Sequence, residues 1–182
     1  MEKSIGVIEF RSIACGIGAV DRIVKASDVR IYDAKTLCPG KYYIIFAGEV
    51  GAVSNSMNVV LEESGKLVID WVVIPNVYPE IFSAINQATS ISELKSIGVI
   101  ETLTSPSIIA SADAAIKATS VELVEIRIAR ALGGKNICII NGDLSSVSES
   151  IRVAVEYPRG KDFLVDYQII ASPHEDLYRA IM

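Results

Sequence analysis

The sequence predicts an α/β chain made of two tandem copies of one small α+β module, and three observations carry that reading. First, Ser4-Ile5-Gly6-Val7-Ile8-Glu9 returns unchanged 92 residues later as Ser96-Ile97-Gly98-Val99-Ile100-Glu101. Second, the agreement runs on. Asp21 to Ala26 aligns with Asp113 to Ala118 at the same spacing, Gly48 to Val53 with Gly142 to Val147 at 94, and Asp70 to Ile74 with Asp166 to Ile170 at 96. A small insertion in the second copy accounts for the drift to 94. Third, each copy orders its patterns as strand, helix, two strands, helix, strand, short helix. The copies divide the 182 residues into domains 1–90 and 91–182, each near the lower size limit for a self-sufficient core.

The elements follow from local chemistry. Ile5 to Phe10 is an apolar run of strand length, and Ala14 to Ala26 carries apolar residues at helical spacing, with Val20, Ile23 and Val24 on one face. Val29 to Leu37 reads as a strand and Tyr42 to Ala47 as its return. Between them Cys38-Pro39-Gly40-Lys41 is a turn, because proline fixes φ and glycine permits positive φ. Glu49, and Asp143 in the second copy, stand just before the next helix, where a carboxylate suits unpaired N–H groups and the positive dipole end. Gly65 ends that helix, Lys66 to Ile74 forms the last long strand, and Pro79 to Ile85 a short helix. A polar linker covers Asn86 to Lys95, and Lys135 to Ile140 is the second-copy strand that holds Cys138.

Composition bounds the function. The chain is 51% hydrophobic with a mean hydropathy of +0.40, apolar enough for modules of this size that part of the surface is expected to face another subunit. No run reaches the roughly 18 apolar residues of a membrane span. Met1-Glu2-Lys3-Ser4 leads straight into a strand without a secretory signal, so the cytoplasm is expected. A net charge of −5 without a Lys/Arg cluster argues against nucleic acid as a partner. Cys15, Cys38 and Cys138 are too few for a disulfide framework and form no CxxC pair, so any metal would need ligands from several chains. Cys15-Gly16-Ile17-Gly18 imitates a dinucleotide fingerprint but has Asp21 at the third glycine position. His174, the single histidine, sits in a turn entering the last helix, where a capping or surface role is expected. No catalytic constellation is visible, and an enzyme is not expected.

The two IGVIE openings, the DxxxKA helix ends, the Gly-acid turns leading to Val53 and Val147, and the last strand running into a short helix together resemble the shell domain of bacterial microcompartments, matched twice over nearly the whole chain. The resemblance implies a ferredoxin-like β-α-β-β-α-β-α module in its ordinary, non-permuted order. It further implies a homotrimer whose six domains imitate a hexagonal tile, packing beside other shell proteins in the microcompartment shell of a bacterial cytoplasm. Lys25 and Lys117 would then lie on the tile edge. The plainer account of both is a lysine complementing a helix C-terminus.

Lys35-Thr36-Leu37-Cys38-Pro39-Gly40-Lys41 is similar to the hairpin of tandem shell proteins that place this cysteine at the trimer's central pore. The likeness implies a pore loop of Pro39, Gly40 and Lys41 with Leu132, Gly133 and Gly134 from the second copy. It also implies one [4Fe-4S] cluster per trimer, bound by Cys38 of three subunits. One cysteine cannot hold a four-iron cluster, which takes about four ligands, whereas a threefold axis presents three thiolates and leaves one iron for another ligand. The second copy reads Ala131-Leu132-Gly133-Gly134-Lys135 and supplies no thiol. Cys15 and Cys138 are expected to be structural. The implied purpose is electron transfer between lumen and cytosol, with encapsulated redox enzymes as partners, or passage of clusters. Two alternatives stay open: a plain tile with a small-molecule pore and no cluster, and a ferredoxin-like small-molecule sensor.

Overall fold

Each copy folds its four strands into one antiparallel sheet. The structure is a computed structural model that describes residues 4–86, 89, 93–129 and 132–181. The expected boundary at residues 90 and 91, and half of the expected linker, lie outside the described residues. The first copy contains β1 (Ser4–Phe10), α1 (Ile13–Ala26), β2 (Val29–Leu37), β3 (Lys41–Gly48), α2 (Val50–Ser64), β4 (Val68–Pro75) and α3 (Glu80–Ile85). The second contains β5 (Ser96–Thr102), α4 (Ser105–Ala118), β6 (Glu122–Arg127), β7 (Asn136–Gly142), α5 (Leu144–Ala154), α6 (Glu156–Gly160), β8 (Leu164–Ile170) and α7 (Glu175–Ile181). Strand order is β2-β3-β1-β4 in one sheet and β6-β7-β5-β8 in the other, as the duplicated sequence requires.

Period-two patterning sets the register. Ile8 and Phe10 of β1, with Ile44 and Phe46 of β3, face α1 and α2 and meet Ala19, Ile23, Val53, Met57 and Val60 in the first core. Gly6 is needed there because a Cβ would come within 2.3 Å of the Phe46 ring. Gly98 leaves room in the same way for Ile140 and Ile151 in the second copy.

Four details differ from the expectations. The buried face of α1 is Gly16, Ala19 and Ile23, while Val24 is exposed. A Cβ on Gly16 would fall 2.5 Å from the Tyr42 ring, so close packing on that ring selects small residues at this face and accounts for the glycine without a cofactor. Gly65, at φ 49°, ends α2 as expected, but Gly65 to Leu67 form a 3-10 turn, so the last strand begins at Val68 and not at Lys66. The strand carrying Cys138 likewise starts at Asn136 and runs to Gly142. The second copy adds a short helix, α6, after α5, which the expected order of elements does not contain.

Two compact units emerge. One comprises residues 1–77 with Thr104–Ser107 and Ala129–Gly134, and the other Tyr78–Leu103, Ile108–Ile128 and residues 135–182. Within the second unit α3 packs on β6 with Ile81 and Ala84 fully buried, and the Tyr78 N–H donates to Asp113 Oδ1 at 2.9 Å.

Candidate functional site

The β2–β3 hairpin turn builds the candidate site within the first unit. Leu37 pairs with Lys41 across the turn, and the Gly40 N–H donates to Leu37 O at 2.9 Å. Gly40 adopts φ 88°, which a side chain resists. Leu37 is buried as an anchor, and Cys38, Pro39 and Gly40 are exposed beyond it.

A second loop lies against this turn. The Cys38 N–H donates to Ala129 O at 3.2 Å, and Lys41 Nζ lies 3.4 Å from Gly134 O. Gly134, at φ 89°, sits so close that a Cβ would stand 2.9 Å from Pro39 Cδ and 3.1 Å from Cys38 O. The structure thus brings together Cys38, Pro39, Lys41 and Gly134. Gly133, at φ 61°, is exposed with open space around it, and Leu132 is half-buried. Ala131 lies outside the described residues.

Lys41 is held from beneath. Its Nζ reaches Glu9 Oε1 at 2.5 Å, with side-chain exposures of 14% for Lys41 and 0% for Glu9. The other Glu9 oxygen accepts the Ser105 N–H at 2.7 Å, so both carboxylate oxygens of this buried group are satisfied. Beside it Asp70, the cross-strand partner of Glu9, accepts the Thr104 and Ser107 hydroxyls at 2.6 and 2.8 Å. The sequence reading did not assign Glu9 a role. An acid set inside an otherwise apolar strand and repeated in both copies was the available signal.

The three cysteines occupy different environments. Cys38 is exposed, Cys15 intermediate and Cys138 buried, where loss of hydration, helped by the Glu125 charge, pushes the Cys138 thiol up to about 12. Such a thiol stays protonated and behaves as a small hydrophobe. Among the described residues no group of three or more His, Cys, Asp or Glu side chains is placed to hold a metal ion within one chain. At this turn one chain offers one soft ligand, and an iron–sulfur cluster would need further ligands from other chains.

Other singled-out residues lie elsewhere. Lys25 and Lys117 pair with Asp21 and Asp113 one helical turn back, both at 2.6 Å, and Lys25 is 73% exposed. Glu49 and Asp143 hold the N-cap positions of α2 and α5, but neither makes a side-chain cap hydrogen bond. Asp143 instead pairs with Lys95 Nζ at 3.0 Å, which raises the lysine's pKa. His174 is exposed, its Nδ1 3.2 Å from the Asp176 N–H at the start of α7. Among the described residues no helix is long and apolar enough to cross a membrane.

Comparison with known proteins defines the class. The BMC domain family matches residues 4–77 and again 96–173. The chain belongs to that family, with two domains in tandem, and is a structural shell protein of a bacterial microcompartment, a structure of the bacterial cytoplasm. Among individual relatives, bacterial microcompartment shell protein PduT of Citrobacter freundii is 34% identical over 182 residues, covering 100% of this chain and 99% of PduT. A microcompartment protein from Desulfitobacterium hafniense DCB has a solved structure of the same fold, with a TM-score of 0.85, 40% identity and coverage of 98% of this chain and 99% of that one. Carboxysome shell protein CcmK1 of Synechocystis sp. is 37% identical over 84 residues, 44% of this chain and 73% of CcmK1.

Proposed function

We propose that three copies of this chain form a pseudohexameric tile and that Cys38 of each subunit binds a shared [4Fe-4S] cluster at the central pore. The observation that carries the reading is the exposed Cys38 thiol at the tip of a hairpin turn whose second-copy counterpart has no cysteine, so six loops would present three thiolates. Pro39, Gly40 and Lys41, with Leu132, Gly133 and Gly134, would line the opening. Gly134 supports this role by letting the second loop approach the Cys38 backbone, and Glu9 by fixing Lys41. A cluster bound there would supply one-electron redox chemistry, or be passed on as cargo. Encapsulated redox enzymes on one side and cytosolic carriers on the other are the partners this implies. Lys25, prominent at the end of α1, and Lys117 at the end of α4 would serve the tile edge towards neighbouring shell proteins.

Anaerobic reconstitution with iron and sulfide tests the cluster. The reading expects a brown trimer with a thiolate-to-iron absorption band near about 400 nm, lost in Cys38→Ser while the trimer persists. A colourless trimer would leave a plain tile with a small-molecule pore. A protein that neither trimerises nor forms sheets under electron microscopy would contradict the tile itself.

A further inference from the structure

Duplication writes each contact surface of the chain twice, and the two versions differ in how far they are buried. Glu9 and Asp70 are cross-strand neighbours on β1 and β4, and Glu101 and Asp166 are the same neighbours on β5 and β8. Both pairs sit beside a register shift at the same place, between Glu9 and Phe10 and between Glu101 and Thr102. In the first unit Glu9 and Asp70 are buried and hold the start of α4: Glu9 accepts the Ser105 N–H at 2.7 Å, and Asp70 the Thr104 and Ser107 hydroxyls. Carboxylates there meet the positive end of the helix dipole as well as its N-terminal donors.

The second pair has the same local build and a different environment. Asp166 Oδ1 accepts the Tyr167 N–H at 2.8 Å, just as Asp70 Oδ1 accepts the Trp71 N–H at 2.8 Å. Yet Asp166 is exposed, its Oδ2 reached by the Gln168 amide at 3.3 Å. Glu101 pairs with Lys135 at 3.0 Å, as Glu9 does with Lys41, but with side-chain exposures of 28% and 48%. The helix start that would match this pair is that of α1, where Ser12, Ile13 and Cys15 are the counterparts of Thr104, Ser105 and Ser107. Here too the copies differ: Ile17 is 57% exposed, whereas its counterpart Ile109 is fully buried. The short helices repeat the contrast, since Ile81 of α3 is buried and its counterpart Leu177 of α7 is half-buried.

We propose that Glu101 and Asp166 of one chain hold the start of α1 in a second copy of the chain, Glu101 accepting the Ile13 N–H and Asp166 the Ser12 hydroxyl. The contact is the intermolecular repeat of the one that Glu9 and Asp70 make with α4. It is head-to-tail, because each chain offers its carboxylates to one neighbour and its α1 to the other, and in a trimer three such contacts close the ring. The proposal rests on the trimer reading and names the residues that join its subunits. On α1, exposed Ile13 and Ile17 stand where Ser105 and Ile109 of the second copy are buried, and they supply apolar area to the contact. Cys15 replaces the Ser107 hydroxyl by a weaker S–H donor, so the intermolecular version is the less tightly bonded of the two.

Sedimentation velocity and native mass spectrometry over a range of concentrations test this with the wild-type chain, Glu101→Gln/Asp166→Asn, Ser12→Ala, and Glu62→Gln as a surface control. Hydrogen bonds to charged groups predict that the double variant loosens each subunit contact by roughly tenfold to a hundredfold. Ser12→Ala should act in the same direction and Glu62→Gln should change nothing, with the circular dichroism of all four alike. Because Asp166 and Glu101 are solvent-accessible in the single chain, the double variant is expected to fold; Ser12→Ala reads the contact from the opposite side but also removes the α1 cap, in which Ser12 Oγ accepts the Cys15 N–H at 3.2 Å, so the stability of its monomer is measured alongside. A wild-type trimer whose double variant and Ser12→Ala form both dissociate within twofold of it would overturn the proposal and leave the trimer standing. A wild-type chain that stays monomeric at every concentration would overturn the trimer reading itself, and the contact with it.

Discussion

Gly134→Ala separates contact between the two loops from the strain of the backbone alone. Gly133 and Gly134 both have positive φ, 61° and 89°, so alanine at either costs about 1–2 kcal/mol in backbone conformation. Their surroundings differ. Nothing lies within 4 Å of a Cβ at Gly133, whereas at Gly134 the Cβ would press on Pro39 Cδ at 2.9 Å and on the Cys38 carbonyl oxygen at 3.1 Å. A carbonyl in a tight turn cannot swing away as a long side chain can, so overpacking adds about 1–3 kcal/mol. The backbone costs nearly cancel in the comparison, leaving Gly134→Ala less stable than Gly133→Ala by about that amount. At 2–4 °C per kcal/mol for a chain of this length, the difference is about 2–12 °C in Tm at matched protein concentration. Thermal unfolding with urea denaturation reads it, and alkylation of Cys38 should quicken in the Gly134 variant as the turn is pushed outward. Equal stability of the two variants, or Gly133→Ala the weaker, would refute the packing of the second loop on the Cys38 turn.

Lys41→Met keeps the stem and removes the charge, leaving Glu9 buried with the Ser105 N–H donating to its other oxygen, so urea denaturation should show a loss of about 3–5 kcal/mol. Burial raises the Cys138 pKa to about 12 from 9.0, so the unfolded chain releases this proton first as pH climbs. Stability from the neutral thiol is therefore complete below pH 9 and falls between about pH 9 and 12 by up to about 1.4 kcal/mol per pH unit; urea curves of wild type and Cys138→Ala should converge over that window. In metal-free protein under native conditions, Ellman's reagent should modify Cys38 first, Cys15 more slowly and Cys138 only on unfolding, with mass mapping of the labelled peptides as the check.

The fold was legible because the sequence states it twice: the Ser4 to Glu9 repeat locates both central strands, and the turn chemistry at Pro39 and Gly40 locates the hairpin. Misreadings fell where local hydropathy and packing disagree. Val24 is apolar but exposed, while Gly16 is buried, because the Tyr42 ring selects for size on that face of α1. Cys38 could be singled out from its motif, whereas the groups that position its turn could not. Glu9 acts through residues 32 and 96 positions away, and Gly134 through a contact that no local pattern encodes.

Iron and acid-labile sulfide counted by native mass spectrometry on anaerobically prepared trimer test the central claim most directly. The account predicts one cluster for every three chains, about four irons per trimer, and none in a Cys38→Ser trimer of unchanged mass and stability. A trimer that takes up no cluster, or one whose iron content is the same with and without Cys38, would contradict it.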